Sequence, residues 1–419
     1  MSIQGLRDTS NFVANERPEN WRQGLMLLYP NSAKAGNAPL TALTSLMKSE
    51  STDDPHFHWF EKGFDDRRLE LHATSGDLAN SSAGSVDTVT LAAGSNGLTF
   101  VANDLFRVEQ TGEIVRLAVD PTSDTEIRIV RGYAGSTPAA VDANGTGINP
   151  NLVHIGSAFE EGSLAPTGTA FDPTEQYNYT QIFRETFEIT RTASKTKLRT
   201  KSAIDEMKRE NLEQIADQME MAFWLGKRSL SSQNQKPIRT TNGVINMIDS
   251  NNVVSYTSGQ VKLQDVEVNL EAAFKYGSSE KVAFAGNRAI LALNQCIRKN
   301  TSAQWQVREG IKEYGMQVSR ITCPFGELVI KSHPRFNQIT GGTTNGTAYY
   351  GMNSWMFILD MDDIKYRYLT DSDLDYYDNL QIPGADGLKA GHLAECGLQL
   401  AHASKHSLWK QMNSGVVDS

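Results

Sequence analysis

A chain of 419 residues, 39% hydrophobic and 21% charged, has the balance of a folded protein with a sizeable core, long enough for two or three ordinary domains. A formal net charge of −9 argues against a broad electrostatic grip on nucleic acid, which needs Lys and Arg to neutralise phosphates. The longest apolar runs, such as Trp355 to Leu359, fall far short of the roughly 20 residues that cross a bilayer, so no membrane span is expected.

The N-terminus, Met1-Ser2-Ile3-Gln4-Gly5-Leu6-Arg7-Asp8, lacks a basic stretch followed by an apolar one, so no secretory leader is read and synthesis in cytoplasm is expected. Up to about Asp54, Asn, Ser, Gly and Pro interrupt short apolar patches at Leu25 to Tyr29 and Leu40 to Met47, the pattern either of an arm with short helices held by other parts or other subunits or of an ordinary N-terminal subdomain. Phe57 to Leu71 alternates loosely as an exposed strand pair. From Val86 the period of two sharpens: Val89 and Leu91, Leu105 to Val108, Glu113 to Val119, Glu126 to Val130. Turn chemistry separates them, as in Gln110-Thr111-Gly112, which predicts a compact antiparallel barrel or sandwich. Tyr177 to Thr190 alternates again, so this β-module is inserted between two strands of one long excursion.

A helix is expected over Lys201 to Ser229. Ile204, Met207, Leu212, Ile215, Met219 and Phe223 recur at three- to four-residue intervals, with Asp205, Glu206, Glu210, Glu213, Asp217 and Glu220 on the remaining face and Lys227 and Arg228 complementing the dipole at its end. After Pro237 the pattern mixes: helices over Leu263 to Tyr276 and Arg288 to Lys299, strands at Lys281 to Ala285, Gln317 to Thr322, Glu327 to Lys331, Met356 to Asp360 and Ile364 to Tyr368, and a returning strand within Leu393 to Trp409. Connections this short exclude a doubly wound sheet and give an α+β core.

No catalytic constellation emerges. His402 and His406 have the spacing of two zinc ligands on a helix, but Ala403 stands where a zinc hydrolase needs Glu. His56 and His58 share a strand face without a third ligand nearby. Gly162 to Thr169 lacks the Lys and spacing of a phosphate loop. The carboxylates of Asp360 to Asp363 and Asp371 to Asp378 lack the spacing of a calcium loop and suit a solvated loop or an intersubunit salt bridge. Cys296, Cys323 and Cys396 form neither a disulfide framework nor a metal motif. No cofactor and no metal are expected, and the chain reads as a building block before it reads as an enzyme.

The order of parts, arm, β-bearing excursion, long acidic helix, α+β core and returning segment, resembles the major capsid proteins of tailed bacteriophages, which share the Hong Kong 97 capsid fold with encapsulins. Within that order Val130-Arg131-Gly132-Tyr133-Ala134-Gly135-Ser136 is similar to an arginine-glycine turn closing the β-insertion in one subgroup, with Ser136 where Thr is expected. Asp378-Asn379-Leu380 and Glu395-Cys396-Gly397-Leu398 to Ala401-His402-Ala403 resemble that subgroup's closing segment.

The resemblance implies an α+β fold with an N-terminal arm over 1–55, an extended loop over 56–195 carrying the insertion at about 74–151, a peripheral domain with its spine helix over 196–242, a mainly axial domain over 243–380 and a return segment over 381–419. It also implies a non-enzymatic subunit of an icosahedral virion shell, assembled in the host bacterial cytoplasm. Its partners would be further copies in hexamers and pentamers, a separate scaffolding protein, a portal and decoration proteins, with double-stranded DNA enclosed without sequence-specific binding. Phe57, Trp59, Phe183 and Phe187 are the candidate intersubunit contacts, because aromatics are enriched at interface cores; packing into the subunit's own core is the other reading of each. The alternatives are an encapsulin shell and a hydrolase with a β-rich binding module.

Overall fold

The computed structural model of the chain describes residues 42–63, 67–72, 78, 82–141, 151–196, 202–256, 259–299, 307–308, 312–313, 316–317, 319–344, 347–349 and 351–416. Most of the arm expected over 1–55, including the patch Leu25 to Tyr29, lies outside the described residues. The chain forms two compact units, one from the described residues up to Trp59 and from Glu175 onward, the other from Phe60–Thr174. No helix among the described residues is long and apolar enough to cross a membrane.

The Phe60–Thr174 unit is a small barrel. Its strands run in the order Arg68–Glu70, Asn151–Ser157, Asp104–Val108, Ile114–Leu117, Glu126–Val130 and Val86–Thr90, every neighbour antiparallel. The ends close on each other: His72 N–H donates to Thr90 O at 3.0 Å and Ala92 N–H to Glu70 O at 2.8 Å. Closure leaves no free edge in the sheet. Alternate residues fill the interior, among them Phe106, Val115 and Ile129, none of them exposed.

One ion pair pins the barrel's closing turn. The fully buried Arg131 donates through Nε and Nη2 to the two carboxylate oxygens of Glu113 at 2.8 and 2.7 Å, through Nη1 to Asp87 at 3.1 Å and through Nη2 to Ala139 O at 2.8 Å. Glu113 also accepts from the N–H of Gly132 at 2.9 Å. Burial works against the charged carboxylate, but the Arg131 guanidinium and the N–H groups of Gly132 and Ala139 outweigh it and hold Glu113 below the usual carboxylate range. Gly132 sits at φ +63°, where an added Cβ would lie 2.8 Å from that of Ala83, so the residue after the arginine must be glycine. Ser136 holds the far side, its Oγ accepting from Ile114 N–H at 3.1 Å and donating to Tyr133 O at 2.8 Å.

The other unit is built on two sheets and one long helix. In the first sheet Gly387–Leu400 lies antiparallel to Gln181–Thr190 on one side and to Ile364–Leu369 on the other, with Asp375–Tyr377 beside it, while Lys48–Thr52 adds in parallel to Ile364–Leu369. The second sheet has the order Val253–Ser255, Ser407–Lys410, Met356–Leu359, Glu280–Ala285, Gly326–Ser332, Ser319–Cys323, Val307–Arg308. Both its faces are covered. In Met356–Leu359 every residue is buried: Phe357 and Leu359 join the core beneath the long helix, Met356 and Ile358 the core beneath the helices Leu263–Phe274 and Asn287–Lys299. The returning segment expected within Leu393 to Trp409 is two strands, one per sheet, joined where His402 adopts φ +53°.

The long helix spans Ala203–Leu225, about 35 Å at 1.5 Å per residue. It stops before the Ser229 expected from sequence because the chain closes tightly at Gly226, where a Cβ would meet Ala222 O at 2.4 Å and Thr241 O at 2.7 Å. Lys227 and Arg228 therefore lie beyond the helix. Its inward stripe carries Asn211, Ile215, Met219, Phe223 and Trp224, the last in edge or tilted contact with Phe284, Phe336 and Phe357 at 4.8–5.3 Å between ring centres. Glu220 is also on this stripe, although its place among the acids of the sequence assigns it to the solvent face. It is fully buried and accepts from Leu43 N–H at 2.7 Å, Thr44 N–H at 3.1 Å, Thr44 Oγ1 at 2.7 Å and Trp224 Nε1 at 3.1 Å.

Both buried acids are expected to be costly to remove. Glu220→Ala strands the donors at Leu43, Thr44 and Trp224 and costs about 3–5 kcal/mol in urea unfolding of the chain, with amide exchange rising first over residues 42–52. Glu113→Ala leaves Arg131 buried without its bidentate partner and costs a similar amount within the barrel, whereas the paired change Glu113→Leu with Arg131→Met costs less than either single change; equal exchange rates in the single and paired variants over residues 86–141 contradict this.

Candidate assembly site

The excursion leaves the two-sheet unit through the strands His56–Glu61 and Thr174–Tyr179, which pair with each other. Its base is an aromatic cluster. The rings of His56 and His58 are 4.1 Å apart, Tyr177 and Tyr179 lie 4.9 and 4.7 Å from His56, and the Arg228 guanidinium sits 3.7 Å over Tyr177 while donating to Tyr177 O at 2.6 Å. His58 pairs with Glu175 at 2.5 Å. Burial, with the neighbouring His58 ring, pushes His56 below the ordinary histidine range.

Below the cluster, buried Asn178 fixes the strand junction. Its Nδ2 donates to Leu398 O at 2.6 Å and to Thr241 Oγ1 at 3.2 Å, and its Oδ1 accepts from the N–H of Tyr179 and of Asn242, both at 2.8 Å. The closing motif answers it: Glu395 accepts from Thr180 Oγ1 at 2.9 Å, and Gly397 makes room for Phe57, whose Cε1 lies 2.9 Å from where a Cβ would stand.

Among the four aromatic candidates, Phe57 stacks on Trp59 with ring centres 6.0 Å apart, and Phe57 is 6% exposed against a half-buried Trp59. Phe183 is 4% exposed and meets Phe223 of the long helix edge-on at 6.4 Å, and Phe187 is 7% exposed on the same strand face. Phe57, Phe183 and Phe187 are thus covered by their own chain, whereas Trp59 retains surface.

Exposed apolar side chains also include Phe60 beside Trp59 and Ile182 on the strand of Phe183, and some lie on elements without a strong sequence signal. The hairpin Ser229–Gln233/Lys236–Thr240 turns through Asn234 and Gln235, both at positive φ, and carries Leu230 and Ile238 in the open. Its alternation is serine and glutamine with two apolar residues, too weak to announce a strand pair; Asn234 at a turn position was the available cue. Ile382 and Tyr377 are exposed on the segment before the last long strand.

The acids of Asp360 to Asp363 and the buried His406 have partners within the chain. Asp362 pairs with Lys48 at 2.8 Å, Asp363 with Lys405 at 2.6 Å, and Asp360 accepts from Ser278 N–H at 2.8 Å. Among the described residues no three His, Cys, Asp or Glu side chains are grouped to hold a metal ion. His402 and His406 flank the short 3-10 turn Ala403–Lys405, not one helical face.

His406 is buried as a neutral ring, its Nδ1 accepting from Asp360 N–H at 3.2 Å and its Nε2 donating to Ala401 O at 3.2 Å. Desolvation lowers it to about 4, with Lys281 opposing its charge and Asp360 and Asp363 favouring it. Unfolded chains take up this proton near the ordinary histidine value and folded chains only near 4, so its contribution is intact above about pH 6.5 and is lost as pH falls. The expected loss is about 2 kcal/mol between pH 7 and pH 5 in urea midpoints, and His406→Asn, which keeps an acceptor toward Asp360, flattens that slope.

Against known proteins, the model of the family described as SU10 major capsid protein matches residues 32–412. A curated major capsid protein of Pseudomonas phage PaMx41 is 27% identical over 348 residues, covering 80% of this chain and 75% of that protein. Among solved structures, the capsid of a native GTA particle aligns at 8% identity over 95% of this chain and 97% of its own, TM-score 0.46, and a structure from Mycobacterium phage Bobi at 9% identity over 98% and 99%, TM-score 0.45. Overlaps this loose do not assign a family. The sequence match does, and it falls with the capsid proteins rather than with the encapsulin or hydrolase alternatives: the chain belongs to the SU10 major capsid protein family.

Proposed function

We propose that many copies of this chain close the icosahedral head shell of a tailed bacteriophage around double-stranded DNA, in the Hong Kong 97 arrangement of hexamers and pentamers, acting by assembly and rearrangement rather than by catalysis. The observation that carries this is the family match across residues 32–412, supported by an element order in which a β-bearing excursion, a long helix and a mixed core succeed one another. On this reading residues 1–55 are an arm, 56–195 an extended loop that lies over a neighbouring subunit, 196–242 with 381–419 the peripheral domain, and 243–380 mainly the axial domain. Assembly takes place in the host cytoplasm with a separate scaffolding protein and a portal, decoration proteins add to the finished virion, and the acidic chain encloses DNA without gripping it.

A two-stranded ribbon is marginal by itself in water, which favours a neighbour beneath the excursion. Trp59 is the aromatic candidate with surface left for that contact, while Phe57 packs beside it on the same strand and Phe183 and Phe187 are buried in the two-sheet unit. Modest contacts repeated with closed symmetry suffice for a stable shell.

Negative-stain electron microscopy with light scattering, on the chain expressed alone and beside its neighbouring genes, is expected to show closed polyhedral shells or five- and six-membered rings. A persistent monomer under both conditions contradicts the proposal.

A further inference from the structure

We propose that the hairpin Ser229–Gln233/Lys236–Thr240 of one copy docks along the acidic segment 371–378 of a second copy. This rests on the shell reading above and names two of the surfaces through which copies meet.

The hairpin is built to be covered. Its tip and first strand are exposed throughout, with Leu230 57% and Ile238 41% exposed, and its second strand leans on Gln181–Thr190 only at the base. A ribbon with this little apolar cover of its own gains from a second layer or a partner edge. From Lys227 to Thr240 the chain carries Lys227, Arg228, Lys236 and Arg239 and no acid. Arg228 is committed to Tyr177, but Lys227, Lys236 and Arg239 enter no ion pair among the described residues.

Segment 371–378 has the opposite character. It reads Asp-Ser-Asp-Leu-Asp-Tyr-Tyr-Asp, four acids and no cation. Asp373 accepts from the Tyr366 hydroxyl at 2.8 Å, while Asp371, Asp375 and Asp378 enter no ion pair among the described residues. Leu374 is 41% and Tyr377 46% exposed. The strand Asp375–Tyr377 pairs with Gly387–Leu400 alone, so among the described residues its outer edge is unpaired.

Unneutralised cations with exposed aliphatic side chains on a ribbon therefore match unneutralised acids with exposed apolar side chains beside an open strand edge. Charge complementarity of this kind selects the partner and orients it, and apolar contact with edge pairing supplies the cover. Both surfaces belong to every copy, so the contact is heterologous and propagates from subunit to subunit.

The test uses particles assembled from an equal mixture of unlabelled and nitrogen-15-labelled chains, treated with a zero-length carbodiimide that joins lysine to carboxylate. Amide links from Lys236 to Asp375 or Asp378 between a labelled and an unlabelled peptide are the expected result. In parallel, Lys236→Glu with Arg239→Glu should lower the yield of closed particles about tenfold, with the far-ultraviolet spectrum unchanged, and adding Asp375→Lys with Asp378→Lys should restore it. Wild-type shells whose hairpin links only within one chain or to another protein, or a charge swap that fails to restore assembly, overturn this inference and leave the shell reading standing. A wild-type chain that forms no shell overturns both.

Discussion

A carboxylate shut away from water governs the two-sheet unit. Glu220 lies one turn before the end of the long helix, and its oxygens are held by two backbone N–H groups, a threonine hydroxyl and an indole, with His333 Nε2 3.5 Å away. A buried charge is tolerated only when its partners are all in place, so the helix, the turn at 42–47 and the Trp224 aromatic contacts form together or not at all. That turn delivers the chain into Lys48–Thr52, whose parallel pairing with Ile364–Leu369 is reinforced by Glu50 reaching Lys365 and Arg367, both at 2.8 Å. A single acid on a helix thereby sets where the N-terminal segment joins the sheet.

The barrel solves its own problem with the same device. Arg131 and Glu113 close a turn that the hydrophobic interior cannot specify, since packing selects only for alternation and is indifferent to the course of the chain beyond the strand Glu126–Val130. The two pairs share a logic: apolar packing gives each unit its cohesion, and one saturated buried charge chooses between otherwise similar arrangements of the connecting chain.

Periodicity made part of this fold legible in the sequence. The strands at Val86–Thr90, Asp104–Val108 and Glu126–Val130, the helices Leu263–Phe274 and Asn287–Lys299 and the course of the long helix stand where alternation or the three-to-four spacing puts them. Periodicity says nothing about partners hundreds of residues away, so Glu220 resembles a solvated acid, the parallel strand at Lys48–Thr52 is hidden in an arm, and Arg131 stands out for its motif without its partner Glu113. The hairpin at 229–240 is silent for a different reason. Its faces are mostly polar because, among the described residues, little of its own chain covers them beyond its base, and a strand without a buried face has no alternation to detect. For the aromatic candidates, alternation correctly identifies the strand faces of Phe183 and Phe187 but does not tell an inward face from one reserved for a neighbour.

The barrel's closure and the two-sheet unit's long-range pairing set the order in which the chain acquires structure during synthesis. Every strand of the barrel lies within Phe60–Thr174, so the barrel has all its strands before most strands of the other unit are made. The other unit must wait: Arg367 reaches Ser51 across 316 residues, and the strands Gly387–Leu400 and Ser407–Lys410 follow every other strand of the sheets they complete. Long-range pairing of this kind is slow, since loop closure precedes the contacts that reward it. A nascent subunit consequently carries a closed barrel well before the two sheets of its other unit can be finished, so the barrel folds without help from them.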